Sequence, residues 1–489
     1  MEEENKLIKQ RKANLEALRK LGINPYPYNF DRNASSIQIL NKHASVKADE
    51  KTKEKYKITG RITNFRVMGK ATFGHLLDAT GKIQFYFRQD DLGTKDYKAF
   101  TKLLDLGDII GIEGKVFRTR KGELSLWAEK ITLLSKSIKP LPEKFHGLKD
   151  VEQRYRQRYI DLISNPEVRE IFVKRTKIIQ AVREFLDSRG FLEVETPILQ
   201  PVYGGASARP FKTFMHELKQ EVYLSISPET YLKRLLVGGY EKVYTICKNF
   251  RNESIDRTHN PEFTMMECYQ AYVDYEEMMK IAEQLYEYVA KKVNGTTIIE
   301  IEGKKIDLKA PWKRLTMADA IKKFGNIDIS KMEIKDLQKV IKENKVKYDG
   351  EPNKGLMIAA IFEELAEEHL IEPVHIIDHP KETTALCKNH RKYHHLIERF
   401  EPYINSWEAG NGYSELNDPV MQRELLEDQE KLRKKGNESV YPMDEDFVNA
   451  IEIGMPPAGG LGIGIDRMVM LITGQPSIRD VIFFPFMKS

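Results

Sequence analysis

A chain of 489 residues is too long for one ordinary hydrophobic core and calls for two or three domains. With 41% hydrophobic and 31% charged residues, no apolar run near the ~18 of a membrane span and only three unpatterned cysteines (Cys247, Cys268, Cys387), it is not disordered, fibrous, membrane-spanning or disulfide-scaffolded, and a reducing, cytoplasmic setting is expected. Its net charge of +5 hides an uneven split: residues 1–150 hold 30 Lys and Arg against 19 Asp and Glu, and residues 151–489 hold 48 against 54, the pattern of a polyanion-binding arm joined to something else.

The chain opens acidic (Met1-Glu2-Glu3-Glu4) without an apolar stretch, so no secretory leader is expected. Leu7, Ile8, Arg11, Leu15 and Leu18 recur at helical spacing and predict an amphipathic helix over residues 4–21, ended by Gly22 and followed by Pro25 and Pro27. Its Lys- and Arg-rich face fits a solvated surface and an RNA-contacting one equally well. Apolar runs at 56–65, 72–78, 82–88, 108–117 and 124–134 follow, with turns at Met68-Gly69, Thr80-Gly81 and Lys121-Gly122. Five short strands, with a longer stretch between the third and fourth, predict a small barrel of the OB type. Such barrels stack single-stranded nucleic acid on aromatic side chains beside basic ones. Here Phe65, Phe73, Phe85 and Phe87 lie among Arg61, Arg66, Lys70 and Arg88, although aromatics at strand spacing also serve as core.

Pro140 and Pro142 mark a connector, and the sequence as far as Arg158 is strongly polar. The second domain opens with a helix over 167–190, then mixes helices irregularly with antiparallel-looking strands and carries a helical insertion near 328–350. That mixture predicts an α+β fold and not a doubly wound α/β sheet, with domains at 1–150 and 151–489.

Val243, Thr245 and Cys247 alternate with Tyr244 and Ile246, a charged loop spans 253–260, and strand character returns over 263–272. In an antiparallel hairpin the odd positions share a face, which puts Arg251 and Glu253 near Glu267 and Tyr269. Arg251 is then able to grip a carboxylate or phosphate with two parallel bonds, Arg257 and His259 to hold further phosphates, and Phe263 to stack on a flat base. A surface hairpin laced by salt bridges fits the same spacing. Asn411, Tyr413 and Glu415 share one side of a strand and suit a cationic ligand, though an edge strand accounts for them more simply. The run Gly459-Gly460-Leu461-Gly462-Ile463-Gly464-Ile465-Asp466-Arg467 implies close backbone approach, but lacks the spacing of a dinucleotide loop. Glu401 and Glu408 are candidate Mg²⁺ ligands beside phosphates. Cys387, His390 and His394 resemble half a zinc site, with no fourth ligand evident.

Taken together, several segments resemble class II aminoacyl-tRNA synthetases. Gly190-Phe191-Leu192-Glu193-Val194-Glu195-Thr196-Pro197 resembles motif 1 of that class. Asn249-Phe250-Arg251-Asn252-Glu253 with His259-Asn260-Pro261-Glu262-Phe263-Thr264 resembles motif 2, and Gly462–Arg467 motif 3. The blocks 68–73, 144–148, 154–159, 231–235 and 413–419 extend the likeness to the lysyl-tRNA synthetase family along nearly the whole chain. The resemblance implies an OB-fold anticodon-binding domain and a catalytic domain built on an antiparallel sheet, pairing as a homodimer through motif 1. It implies activation of L-lysine by ATP, with Mg²⁺, and transfer to tRNA(Lys). By the same resemblance, Arg251 and Arg467 act on the phosphates, and Glu253, His259, Asn260 and Phe263 complete the ATP pocket. Gly205, Glu229, Glu267, Tyr269, Asn411, Tyr413 and Glu415 hold lysine, Glu401 and Glu408 hold Mg²⁺, and Phe73, Gln84 and Arg66 contact the anticodon. An aspartate or asparagine enzyme of the same class would instead need cations or amides where Glu229 and Glu415 stand. The chain departs from the family's usual reading at Thr384-Ala385-Leu386-Cys387, and at Asn405-Ser406-Trp407, a region where the family usually has two glycines just before the second metal glutamate.

Overall fold

The structure, a computed structural model, describes residues 2–142, 148, 150–435 and 440–488. The block at 144–147 that contributes to the resemblance lies outside these residues. The chain forms two compact units, Met1–Lys149 and Asp150–Ser489.

In the first unit the strands Lys51–Met68, Ala71–Leu77, Lys82–Arg88, Leu124–Ser135 and Ile109–Arg118 close, in that order, into a barrel. The alternation in the sequence works as expected: Ile83, Phe85 and Phe87 point into a core with Ile58, Ile62, Ile112 and Leu126, while Gln84, Tyr86 and Arg88 face out. Two of the four candidate base-stacking rings, Phe85 and Phe87, are therefore core, with no exposure. Phe65 packs against them, and Phe73 alone stays on the outer face. The first helix spans Glu2–Lys20, but Arg11 is buried in it and donates to the Ser137 and Lys139 carbonyls, so part of its basic face is internal.

The second unit is built on a nine-stranded sheet. Its order is Lys313–Thr316, Val374–Pro380, Leu396–Ile404, Asn411–Ser414, Ala458–Gly464, Glu262–Ala271, Lys242–Phe250 and Leu192–Glu193, with Trp407–Glu408 paired to Leu396–Ile404. Only the two outermost pairings are parallel; the centre is antiparallel. The helices Pro166–Asp187, Tyr275–Asn294 and Ile465–Thr473 cover one face with a large apolar cluster. The helices Met317–Gly325, Ile334–Glu343 and Lys354–Leu365 share their own core around Ile321, Leu337 and Phe362.

The polar stretch before Arg158 is not a loose connector. It forms the helices Val151–Arg156 and Arg158–Ser164, and Arg158 has no exposure, pairing with Asp161 at 2.6 Å and donating to the Arg479 carbonyl at 2.8 Å. A buried arginine satisfied by backbone oxygens carries no composition signal that separates it from a surface one. At the unusual Asn405-Ser406, both residues adopt left-handed φ (52° and 62°) to turn Leu396–Ile404 back into Trp407–Glu408. Glycine suits that turn better.

Candidate active site

The glycine strand is a floor. Its register aligns Gly460 between Tyr269 and Tyr413, and Gly462 between Glu267 and Asn411, so large side chains from the two flanking strands stand either side of a strip without side chains. A Cβ on Gly460 would stand 2.5 Å from Tyr269 Cε1 and closer still to Glu415 Oε1. Gly205 closes one end: at φ +81° it lies against Ser227 and Glu229, where a Cβ would come within 2.8 Å of both side chains.

Three carboxylates converge above this floor. Glu229 opens the helix Glu229–Val237, its amide capped by Ser227 Oγ at 3.1 Å. Glu267 accepts from Ser227 Oγ (2.8 Å) and from the Tyr269 hydroxyl (3.1 Å). Glu415, just beyond Asn411–Ser414, has no exposure; Lys233 pairs with its Oε2, and its Oε1 has no donor. Burial and the Glu229 charge push Glu267 up to about 7. Burial raises Glu229 and Glu415 against the pull of Lys233. Such a crowd of desolvated acids is a receptor for cations. The Tyr413 hydroxyl accepts from Asn411 Nδ2 at 2.6 Å, and Asn411 Oδ1 accepts from Arg399 Nε at 3.1 Å.

Cations gather at the other end. The hairpin Lys242–Phe250/Glu262–Ala271 pairs Thr245 with Glu267 and Asn249 with Phe263, and the Arg251 amide donates to the Pro261 carbonyl. Arg251 thus lies beside Phe263, its guanidinium 5.1 Å from the ring, with a buried Nε that has no partner. Arg467 donates to the Glu408 carboxylate at 3.2 Å and lies 3.1 Å from His259 Nε2, while Asp256 engages His259 Nδ1 at 2.8 Å. Glu401 contacts Arg399 and accepts from the Tyr403 hydroxyl at 3.2 Å. Glu363 and Glu367 add to the same acidic zone, and burial together with the charges of Glu363, Glu401 and Glu408 pushes Glu367 up to about 7. These are hard oxygen donors of the kind a divalent cation takes, although no group of three His, Cys, Asp or Glu poised to hold a metal occurs among the described residues.

Not every expected residue joins the site. Arg257 is exposed and pairs with Glu302 at 2.7 Å. Asn260 is buried and spends its amide on the Glu262 carbonyl and the Phe486 amide. Glu253 stands exposed on the hairpin loop. Cys387 packs between Ile397 and Tyr413, His390 lies 3.6 Å from Asp378, and no zinc-like cluster of three ligands occurs among the described residues. On the barrel, Phe73 lies opposite Arg66 and Tyr86 in register, and Gln84 donates to Glu123 at 2.6 Å and accepts from Ser125 at 2.7 Å.

Residues 150–488 match the family of tRNA synthetases class II (D, K and N), and residues 56–134 match an OB-fold nucleic acid binding domain. The chain belongs to the class II tRNA synthetases. Among the synthetase's relatives, a lysine–tRNA ligase of Carboxydothermus hydrogenoformans is 51% identical over all of this chain and 99% of its own. Lysine–tRNA ligase 2 of Methanosarcina mazei is 49% identical over 97% and 93%, and a lysine–tRNA ligase of Clostridium novyi is 49% identical over 99% and 95%. Three features of the synthetase's site escape sequence reasoning. Asp466 accepts from Arg175 at 2.6 Å and from the Thr264 amide at 2.6 Å, and so ties the helices Pro166–Asp187 and Ile465–Thr473 and the strand Glu262–Ala271 together. Glu123 lies beyond the candidate barrel residues in sequence, and only the sheet brings it to Gln84. Lys233 sits inside the acid cluster; its spacing of four from Glu229 on a helix was the available signal.

Proposed function

We propose that this synthetase is an ATP-dependent lysine–tRNA ligase that forms lysyl-adenylate and pyrophosphate and then esterifies the 3′ end of tRNA(Lys). The carrying observation is the convergence of Glu229, Glu267 and Glu415 on one buried pocket. Within a family that includes aspartate and asparagine enzymes, three acids favour a substrate with a second ammonium. The full-length likeness to lysine–tRNA ligases points the same way.

The amino acid lies on the glycine floor. Its side-chain ammonium goes to Glu229 and Glu415, its stem lies along Tyr269 and Tyr413, and its α-amino group meets Glu267 and Asn411 beside Gly205. Arg251 holds the substrate carboxylate against the α-phosphate, which its unpartnered Nε and position beside Phe263 equip it to do. Phe263 stacks on adenine, with Glu253 and Asn260 at the edge of that pocket. Arg467 and His259 take the far phosphates. The reaction is attack of the carboxylate oxygen on the α-phosphorus with departure of pyrophosphate. It needs no side-chain nucleophile, only orientation and positive charge fixed where negative charge develops. Mg²⁺, held by Glu401 and Glu408, supplies further charge neutralisation on the phosphates.

On the barrel, Phe73, Gln84 and Arg66, joined by Glu123, form the face for the anticodon. Leu192, Ile198, Leu199, Phe214 and Met215 are all more than 40% exposed along motif 1 and the strands after it, and we assign that apolar surface to the homodimer contact. No described helix is long and apolar enough to cross a membrane, and we place the enzyme in the cytoplasm with its tRNA. ATP–pyrophosphate exchange across the twenty amino acids tests the assignment. Lysine is expected to drive exchange; aspartate- or asparagine-driven exchange would overturn it.

A further inference from the structure

One charged group in the amino acid pocket has no role in the reaction as described. Lys233 has no side-chain exposure, and its Nζ lies 2.6 Å from Glu229 Oε1, 2.5 Å from Glu415 Oε2 and 3.4 Å from the Leu386 carbonyl. Three acceptors occupy an ammonium's three protons. The ionisable groups around it come from every packed element. They are Glu229 on its own helix, Glu267 and Tyr269 on the motif 2 strand, Tyr413 and Glu415 beside the glycine floor, Cys387 beyond Leu386, and Tyr441. Three carboxylates therefore face one internal cation.

We propose that Lys233 is a positioning and specificity-determining residue: a permanent internal cation that favours the ionised forms of Glu229 and Glu415 and holds both carboxylates in place for the substrate ammonium. The proposal rests on lysine being the substrate. Its force comes from what the ion cluster leaves undone. Lys233 pairs with Glu415 Oε2 alone, so the buried Glu415 Oε1 still lacks a donor, and the incoming ammonium provides one. A mere helix-stabilising pair would need only Glu229, one turn away. Nor is Lys233 a stopper that lysine displaces, because its enclosed ammonium has the Leu386 carbonyl as a third, non-acidic anchor and no exposed path to water. Without this cation the neighbouring acids would hold a shared proton in its place, and lysine would have to expel that proton to bind.

Lys233→Met keeps the stem and removes the charge. Lysine-dependent ATP–pyrophosphate exchange, followed from pH 6 to 9, is expected to show a lysine KM raised at least thirtyfold at pH 7. The KM for ATP and the rate at saturating lysine are expected to stay within threefold. The pH at which the lysine KM levels off should move up by at least one unit, and Lys233→Arg should restore the original pH profile. An unchanged lysine KM and pH profile in Lys233→Met would overturn the proposal, as would equal increases in both KM values. Should Lys233→Met fail to fold, calorimetry of lysine binding to the unaltered enzyme at pH 7 in two buffers of different ionisation enthalpy decides the matter. Release of less than one proton per lysine bound, the share that Glu267 holds at pH 7, supports a fixed Lys233, and release of one proton or more overturns it. Absence of lysine-dependent exchange in the unaltered enzyme would overturn the substrate assignment itself. Normal exchange with an unaffected Lys233→Met overturns this inference alone.

Discussion

The molecule buries a lysine between two acids twice, once in each unit, and the two clusters are built to different ends. In the barrel unit Lys136 is fully enclosed, lies 2.7 Å from Asp108 and also contacts Asp105. The acids there are saturated: Asp108 accepts from the Ser137 and Asp105 amides at 2.7 and 2.8 Å, and Asn14 donates to Asp105 at 3.1 Å. In the catalytic unit Lys233 meets Glu229 and Glu415 with the same enclosure, yet a third acid stands close by and Glu415 Oε1 lacks a donor. A saturated ion cluster locks an architecture, whereas an under-satisfied one, held rigid by its surroundings, stores affinity for a missing partner.

The largest effects should separate the two. Asp108→Ala should cost the barrel unit about 3–5 kcal/mol of stability, because it breaks a buried pair. Lysine-driven pyrophosphate exchange per folded molecule should be unchanged, which calorimetry combined with the exchange assay would check. Glu229→Gln should do the reverse, lowering kcat/KM for lysine by roughly 10²–10³ with little change in the KM for ATP. Equal loss for both substrates would erase the distinction between the clusters. Gly460→Ala should also raise the lysine KM, by at least about tenfold, since its methyl group enters the space between Tyr269 and Glu415.

Acidity gives a smaller contrast. Lysine binds the ionised form of Glu267, whose pKa stands at about 7 in the empty pocket because of burial and Glu229. A raised carboxyl opposes its own ionisation, so apparent lysine affinity should fall by up to about tenfold per unit as pH drops below 7, and this group should add nothing above it. Titrating lysine binding from pH 5.5 to 8.5 checks the sign. The smallest effect expected is in the metal-strand hairpin: Ser406→Gly relieves a left-handed serine and should raise stability by up to about 1 kcal/mol in thermal unfolding.

What was legible in the sequence follows from range. The barrel strands, the motif 2 hairpin and the glycine floor announce themselves through period-two patterns and turn residues, which are local. Contacts that close over distance are silent. Nothing near Arg158 shows that it feeds on the Arg479 carbonyl, and nothing near Arg257 shows that Glu302 pairs with it. Phe85 and Phe73 look alike in the sequence and differ only in which side of the pleat they occupy. Likewise, Glu415 reads as an edge-strand acid until the fold buries it against Lys233.

The position of the glycine strand has a consequence for how the enzyme comes into being. Ala458–Gly464 lies in the middle of the large sheet, between Asn411–Ser414 and Glu262–Ala271, yet it follows every other strand of that sheet in the chain. Until it leaves the ribosome, the two halves of the sheet present unpaired inner edges, and Arg175 and Thr264 wait for Asp466. The large sheet is thus closed by the strand made after all its others, while the barrel, which precedes the sheet in the chain, is free to fold on the growing chain.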